Sequence, residues 1–192
     1  MQAQVSASDI ACRRGDRVLF THLSMALRHG DAAQAVGANG TGKSSLLRIL
    51  AGLLRPFAGS LQVSGKRGLV DDRLALDGNV PLGHALRFWS KLDGCRDADC
   101  LDRLQLNALL DVPVRFLSTG QKKRAALARL AMSDCHVWIL DEPLNGLDAQ
   151  AQTEVEAMIA QHRTTGGIAL VASHQPIALP DAQVITLADY AP

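Results

Sequence analysis

The chain has no apolar run long enough to cross a membrane. Its longest, Val137 to Leu140 and Ile168 to Ala172, fall far short of the ~20 residues that a spanning helix needs, which excludes a channel formed by this chain. It also lacks an excess of charge. A formal net charge of +1 gives no broad field for nucleic acid or an anionic membrane, so any anion binding must be local. A disulfide framework is missing as well: Cys12, Cys95, Cys100 and Cys135 are scattered along the 192 residues, a pattern of ordinary thiols rather than a scaffold. Cys95 and Cys100, with His84 nearby, fit no common zinc spacing, and no Cys-x-x-Cys-His haem-attachment motif occurs. Residues 1–20 place Arg13, Arg14, Asp16 and Arg17 where a signal peptide would need an apolar centre, so the expectation is no secretory signal and a cytoplasmic setting.

What is present is enough for a core. A chain of 192 residues with 47% hydrophobic and 20% charged content can bury one good-sized core, or a core with an inserted lobe. Leu23, Met25 and Leu27 alternate with polar or small neighbours, as in a strand with one covered face. Ala32 to Val36 runs straight into Gly37. From Ser44 the period changes, with Leu46, Leu47, Ile49 and Leu50 at helical spacing and Gly52 as the stop. Between Pro81 and Asp111, Leu82, Ala85, Leu86 and Trp89, then Leu101, Leu104 and Ala108, predict two helical stretches. Gln121 to Met132 predicts a third helix, striped by Leu127, Leu130 and Ala131. Lys122, Lys123 and Arg124 crowd its start, where they oppose the helix dipole unless an anion comes near or water solvates them. His136 to Leu140 and Ile168 to Ala172 read as parallel strands covered on both faces, joined by a crossover helix over Ala149 to Arg163. The expected fold is α/β with a parallel sheet core and a helical insertion over about residues 70–132, flanked by core segments at about 1–69 and 133–192. No internal repeat or low-complexity linker is evident.

Gly37, Ala38, Asn39, Gly40, Thr41, Gly42, Lys43 and Ser44 match the phosphate-loop pattern in its strand-to-helix setting. Glycines let successive backbone N–H groups point at one phosphate, and the helix start, including Ser45, adds its positive end. Lys43 is positioned to reach the β- and γ-phosphates of ATP, and Ser44 to ligate Mg²⁺. The apolar strand Val137 to Leu140 delivers Asp141 to its C-terminal end, where open α/β sheets bind ligands. Asp141 is the second Mg²⁺ candidate, and Glu142 the residue that polarises the attacking water.

In this order, the phosphate loop, Leu117-Ser118-Thr119-Gly120-Gln121, Asp141-Glu142, Asp148 and His174 resemble the ATP-binding cassette ATPases of ABC transporters over nearly the whole chain. The resemblance implies a P-loop ATPase with an antiparallel β subdomain and an inserted helical subdomain. It implies that Ser118, Thr119, Gly120 and Gln121 form the signature loop that closes on the γ-phosphate, that Asn145 to Asp148 communicate across a dimer, and that His174 contacts the γ-phosphate. The implied assembly is an ATP-closed homodimer, each site built from two chains, attached to integral membrane transporter subunits.

Two departures stand out. No glutamine occurs between Gln62 and Gln105, where the family carries one that touches Mg²⁺; Asp71 or Asp72 stands there and could offer a carboxylate oxygen instead. An adenine-stacking aromatic is also missing, with Arg13 or Arg14 in its place, either stacking through the guanidinium plane or solvated.

Finer cues resemble the ATP-binding subunits of the haem exporter of cytochrome c maturation. They are Leu127-Ala128-Arg129-Leu130, Trp138 before Ile139-Leu140-Asp141-Glu142-Pro143, Gly166-Gly167-Ile168 leading to Ser173-His174-Gln175-Pro176, Thr119 where most cassettes carry glycine, and an early end after His174. That resemblance implies a peripheral subunit on the cytoplasmic face of a bacterial inner membrane, with haem handled by its partners. His22, His29, His84, His136 and His162 read as surface or core residues, and no nucleic-acid partner is expected. The alternatives are the ATPase of another small transporter, or a regulatory ATP clamp with little turnover.

Overall fold

The alternation around Leu23, Met25 and Leu27 belongs to a long strand, β2 (Arg17–Arg28), which buries those three residues and exposes Ser24, Ala26 and Arg28. It pairs antiparallel with β1 (Gln4–Arg14), and β1 pairs on its other edge with β4 (Ala58–Ser64), giving a three-stranded sheet in the order β2-β1-β4. This computed structural model describes residues 3–93 and 99–192.

A second sheet has five strands, all parallel. Its members are β3 (Ala32–Val36), β5 (Arg67–Val70), β6 (Val137–Asp141), β7 (Ile168–Ala172) and β8 (Gln183–Thr186), in the order β5-β6-β7-β3-β8. Every residue of β6 and β7 is buried. The period of two explains why their sequences are apolar without a break. Val137 and Ile139 face a cluster built with α1 (Lys43–Leu50) and the antiparallel sheet, through Leu46, Ile49, Phe20 and Leu23. Trp138 and Leu140 face the opposite cluster, with Leu127 and Leu130 of α4 (Thr119–Ala131) and Val155, Met158 and Ile159 of α5 (Ala149–Thr164). Full burial of a side chain such as Ile139 or Leu140 is worth about 1.5–3 kcal/mol.

The parallel arrangement carries the functional consequence. All five strands run the same way, so the C-terminal ends of β3, β6, β7 and β5 deliver Gly37, Glu142, Ser173 and Asp71 to one edge of the sheet. β7 lies between β3 and β6, which seats His174 between the phosphate loop and the acidic pair.

The region between β5 and α4 is helical in part. α2 (Leu82–Asp93) forms as expected and buries Leu82, Ala85 and Leu86. The second expected helix shrinks to α3 (Cys100–Arg103), because the chain reverses at Gln105, whose φ is 53°. Leu104 is buried as expected, but Leu106 takes the place assigned to Ala108, which is exposed.

α4 starts two residues earlier than its apolar stripe suggests. Ser118 accepts from the Gln121 N–H at 3.2 Å while the Gln121 side-chain oxygen accepts from the Ser118 N–H at 2.8 Å, a reciprocal cap that satisfies two otherwise orphaned donors. Each of the three cations behind it is tied to a carbonyl. Lys122 donates to the Arg115 carbonyl, Lys123 to the Asp141 carbonyl, and Arg124 to the Leu104 carbonyl. They tie the start of α4 to its surroundings.

Candidate active site

The phosphate loop leaves β3 and turns into α1 through Gly42, whose φ of 111° suits a residue without Cβ; a Cβ there would press on Leu19 and Phe20. The loop borders a cavity of about 290 Å³ lined by Leu19, Asn39, Gly40, Gly42, Lys43, Ser44, Ser45, Asp141 and Glu142. Lys43 is nearly buried and folds back over the loop, its ammonium donating to the Gly37 carbonyl at 2.7 Å and the Ala38 carbonyl at 3.3 Å. Thr41 donates its hydroxyl to the same Ala38 carbonyl. The ammonium already bridges the two carbonyls that begin the loop.

Asp141 sits at the cavity wall, only 7% exposed. Burial raises its carboxyl above the ordinary range, a hydrogen bond from Ser44 opposes that, and the charges of Asp72, Glu142 and Asp71 raise it further. A buried carboxylate hydrogen-bonded to a hydroxyl and crowded by other negative charge is a place where a hard cation fits.

Glu142 adopts a left-handed backbone conformation, with φ 49°, which is costly for a side chain of this kind. Its N–H is held by the Ala172 carbonyl at 2.8 Å. Its Oε2 lies 2.8 Å from His174 Nδ1 and accepts from the His174 backbone N–H at 3.3 Å. The strand order and this strained turn together bring an acid from β6 onto a histidine from beyond β7.

The signature residues lie elsewhere. Ser118, Gly120, Gln121, Arg124, Gly146, Leu147, Asp148 and Ala151 line a separate cleft of about 180 Å³, and none of them lines the phosphate-loop cavity. Gly120 packs against Gly146, so closely that a Cβ would collide with the Gly146 carbonyl oxygen. Exposed Thr119 lies beside the same glycine. Asp148 caps α5, accepting from the Ala151 N–H at 2.8 Å. Gly37, Ala38 and Thr41 back the phosphate loop rather than line its cavity.

Other expectations resolve differently. Exposed Arg13 lies over the Phe57 ring at 4.4 Å, while Arg14 lines a different cleft. Asp71 is engaged by Arg48 at 3.3 Å and by the Arg73 N–H at 2.9 Å; Asp72 is exposed. Cys95 lies outside the described residues, and among those described no group of three or more His, Cys, Asp or Glu side chains could hold a metal. The residues that sequence reasoning missed are Leu19, Arg124 and Ala151, together with Cys12, whose thiol bonds Ser45 of the loop. Only long-range strand pairing brings Leu19 and Cys12 there.

A phosphate loop with a buried Asp-Glu pair at one edge of a parallel sheet, and a capped signature helix opening a second cleft, define an ATP-binding cassette ATPase. The ABC transporter family model matches residues 20–145. The chain belongs to this family and, within it, to the group named cytochrome c biogenesis ATP-binding export protein CcmA: it is 52% identical to that protein of Novosphingobium aromaticivorans over 97% of this chain and 96% of the relative. The protein of the same name from Zymomonas mobilis is 47% identical, covering 98% of this chain and 86% of its own. Among solved structures, an ABC transporter ATP-binding protein from Pyrococcus furiosus superposes with a TM-score of 0.83 at 20% identity, covering 98% of this chain and all of that one; this supports the fold. As a member of the family the chain binds nucleotide and hydrolyses ATP. No helix among the described residues is long and apolar enough to cross a membrane.

Proposed function

We propose that this chain is the ATP-hydrolysing subunit of a membrane complex that exports or hands over haem for c-type cytochrome maturation. It acts as an ATP-closed homodimer on the cytoplasmic face of the inner membrane. The observation that carries the catalytic part is the Glu142–His174 contact at the phosphate-loop cavity; the haem part is supported by the names of its relatives.

In this reading the N–H groups of Gly37 to Ser45 cradle the phosphates at the start of α1. Lys43 exchanges its two carbonyl partners for β- and γ-phosphate oxygens. Ser44 and Asp141 would hold Mg²⁺, which neutralises phosphate charge when bound; an exposed hydroxyl bonded to a buried carboxylate at the cavity wall suits it. Glu142 orients a water and takes its proton as the water oxygen bonds to the γ-phosphorus and the bond to ADP breaks. His174 fixes the glutamate through Nδ1 and leaves Nε2 for a γ-phosphate oxygen.

The split between the two clefts supports a two-chain site. Ser118, Thr119, Gly120 and Gln121 present a helix N-terminus and its N–H groups to an anion, yet they do not line their own chain's phosphate cavity. A second copy supplies the missing half, and loss of the γ-phosphate releases the clamp. Integral membrane subunits convert that motion into work and handle haem themselves.

The test uses the assembled complex. Mg²⁺-dependent ATP hydrolysis should vanish in Glu142→Gln, and c-type cytochromes should fail to assemble in cells carrying only that variant. Surviving hydrolysis would sink the catalytic assignment; undiminished cytochrome assembly would sink the haem reading.

A further inference from the structure

Among the described residues, only three charged side chains are buried: Lys43, Lys123 and Asp141. Lys43 and Asp141 line the phosphate-loop cavity. Lys123, 9% exposed, lines neither that cavity nor the signature cleft. A buried ammonium is expensive unless its N–H groups meet acceptors, and binding of the phosphates makes no use of this one.

Its place in α4 is also out of pattern. Lys123, Leu127 and Leu130 stand at i, i+4 and i+7 among the buried residues of the helix, on the side of Leu140 of β6, a stripe that is normally apolar throughout. The aliphatic stem can follow the stripe while the charge reaches past it. The ammonium ends at the strand, donating to the Asp141 carbonyl at 3.4 Å, and forms no ion pair among the described residues. Its two neighbours point elsewhere. Lys122 and Arg124 bond the Arg115 and Leu104 carbonyls, both in the region between β5 and α4. Of the three cations, Lys123 alone reaches β6.

The carbonyl it holds belongs to the peptide that leads into Glu142. The N–H of that peptide is bonded to the Ala172 carbonyl at 2.8 Å. Lys123 and Ala172 therefore hold the peptide from its two sides. Glu142 needs such support, because a side chain at φ 49° keeps that conformation only where its surroundings impose it. At the far end of the same turn, Gly146 packs on Gly120. The signature helix thus grips the turn both before the glutamate and after it.

Resting on the reading of Glu142 as the residue that takes the proton from water, we propose that Lys123 is a positioning residue for hydrolysis. It touches no nucleotide. Its ammonium fixes the Asp141–Glu142 peptide plane, and with it the direction in which the carboxylate leaves the strained backbone. Because α4 also presents the signature to a second copy's ATP, one rigid element carries both dimer closure and the alignment of the chain's own glutamate.

The test is ATP hydrolysis by the assembled complex carrying Lys123→Met, which keeps the stem and removes the charge. Its kcat should fall by about tenfold or more, as small misplacements of a catalytic group do. KM for ATP, and nucleotide binding by the isolated variant, should stay as in the parent. Lys123→Arg, which still donates, should keep most of the rate. Added to Glu142→Gln, Lys123→Met should slow the residual single-turnover rate no further, because a residue acting through Glu142 then has nothing left to position. ATP-driven dimerisation of the double variant should match that of Glu142→Gln alone. An unchanged kcat in Lys123→Met, with Glu142→Gln inactive, overturns the proposal alone. A further loss of rate or of dimerisation in the double variant overturns it in favour of a lysine that only supports the helix. Full hydrolysis by Glu142→Gln overturns the catalytic assignment and the proposal together.

Discussion

Glu142 and His174 are held together twice: the carboxylate oxygen lies 2.8 Å from the imidazole Nδ1 and 3.3 Å from the backbone nitrogen of the same histidine. One contact depends on the histidine side chain and the other does not. Replacing His174 therefore leaves the glutamate partly oriented, whereas replacing Glu142 removes the group proposed to take the proton. Glu142→Gln should lower kcat by on the order of 10³ and His174→Ala by about 10². Steady-state hydrolysis by the assembled complex ranks the two; equal losses would contradict this division of roles.

Gly120 offers a second test, because its neighbour is backbone. The Gly146 carbonyl oxygen occupies the space that a Cβ would need, and a carbonyl in a tight turn cannot swing away as a flexible side chain would. Gly120→Ala should part the signature helix from the 142–147 turn at a cost of about 1–3 kcal/mol. ATP-driven dimerisation, followed by light scattering in a Glu142→Gln background, should weaken. Nucleotide binding by the monomer should persist, because Gly120 lies outside the phosphate cavity.

Ser118 separates capping from packing. Its hydroxyl accepts the Gln121 N–H, and the Gln121 side chain returns the bond. Ser118→Ala removes one half of that exchange and should destabilise the protein by about 1 kcal/mol, measured by chemical denaturation. Ser118→Asp restores an acceptor and with it most of the stability. Its added negative charge at the same helix start should still impair ATP-driven dimerisation, because the proposed occupant is itself an anion. Stability and dimerisation that move together in both variants would count against an anion site.

What could be read in the sequence was local. The phosphate loop and the runs leading into Asp141 and Ser173 carry their own signal, because a strand covered on both faces needs continuous apolar residues, and Val137 to Leu140 serve two clusters in alternation. β1 was hidden because register shifts between Ala7 and Ile10 and again before Cys12 break its period. β4 is mostly exposed, and β8 has four residues. The pairing of β1 with β2 sets Leu19 and Cys12 beside the loop, a relation no local pattern encodes. The helix expected across Leu101, Leu104 and Ala108 failed at one backbone reversal, Gln105. The cations at the start of α4 could not be placed from sequence, because their carbonyl partners come from segments brought close only by folding.

Away from the site, His162 supplies a pH test. Its ring stacks on Trp138 with centroids 4.1 Å apart and planes 10° from parallel, and its Nε2 is buried without a hydrogen-bond partner. Burial lowers its pKa from 6.5 to about 4, against raising contributions from the backbone of His136 and Ile168, with the nearby His136 ring lowering it further. The unfolded chain therefore binds the proton more readily than the folded one. Stability is complete above the unfolded value of 6.5 and is lost as pH falls from there towards 4, by up to about 3 kcal/mol from this group. His162→Phe keeps the stacked ring and removes the titration. The difference in unfolding free energy between the parent and this variant should be flat above pH 7 and should move in favour of the variant between pH 6.5 and 4. A constant difference across that range would mean that His162 takes up its proton in the folded protein without penalty.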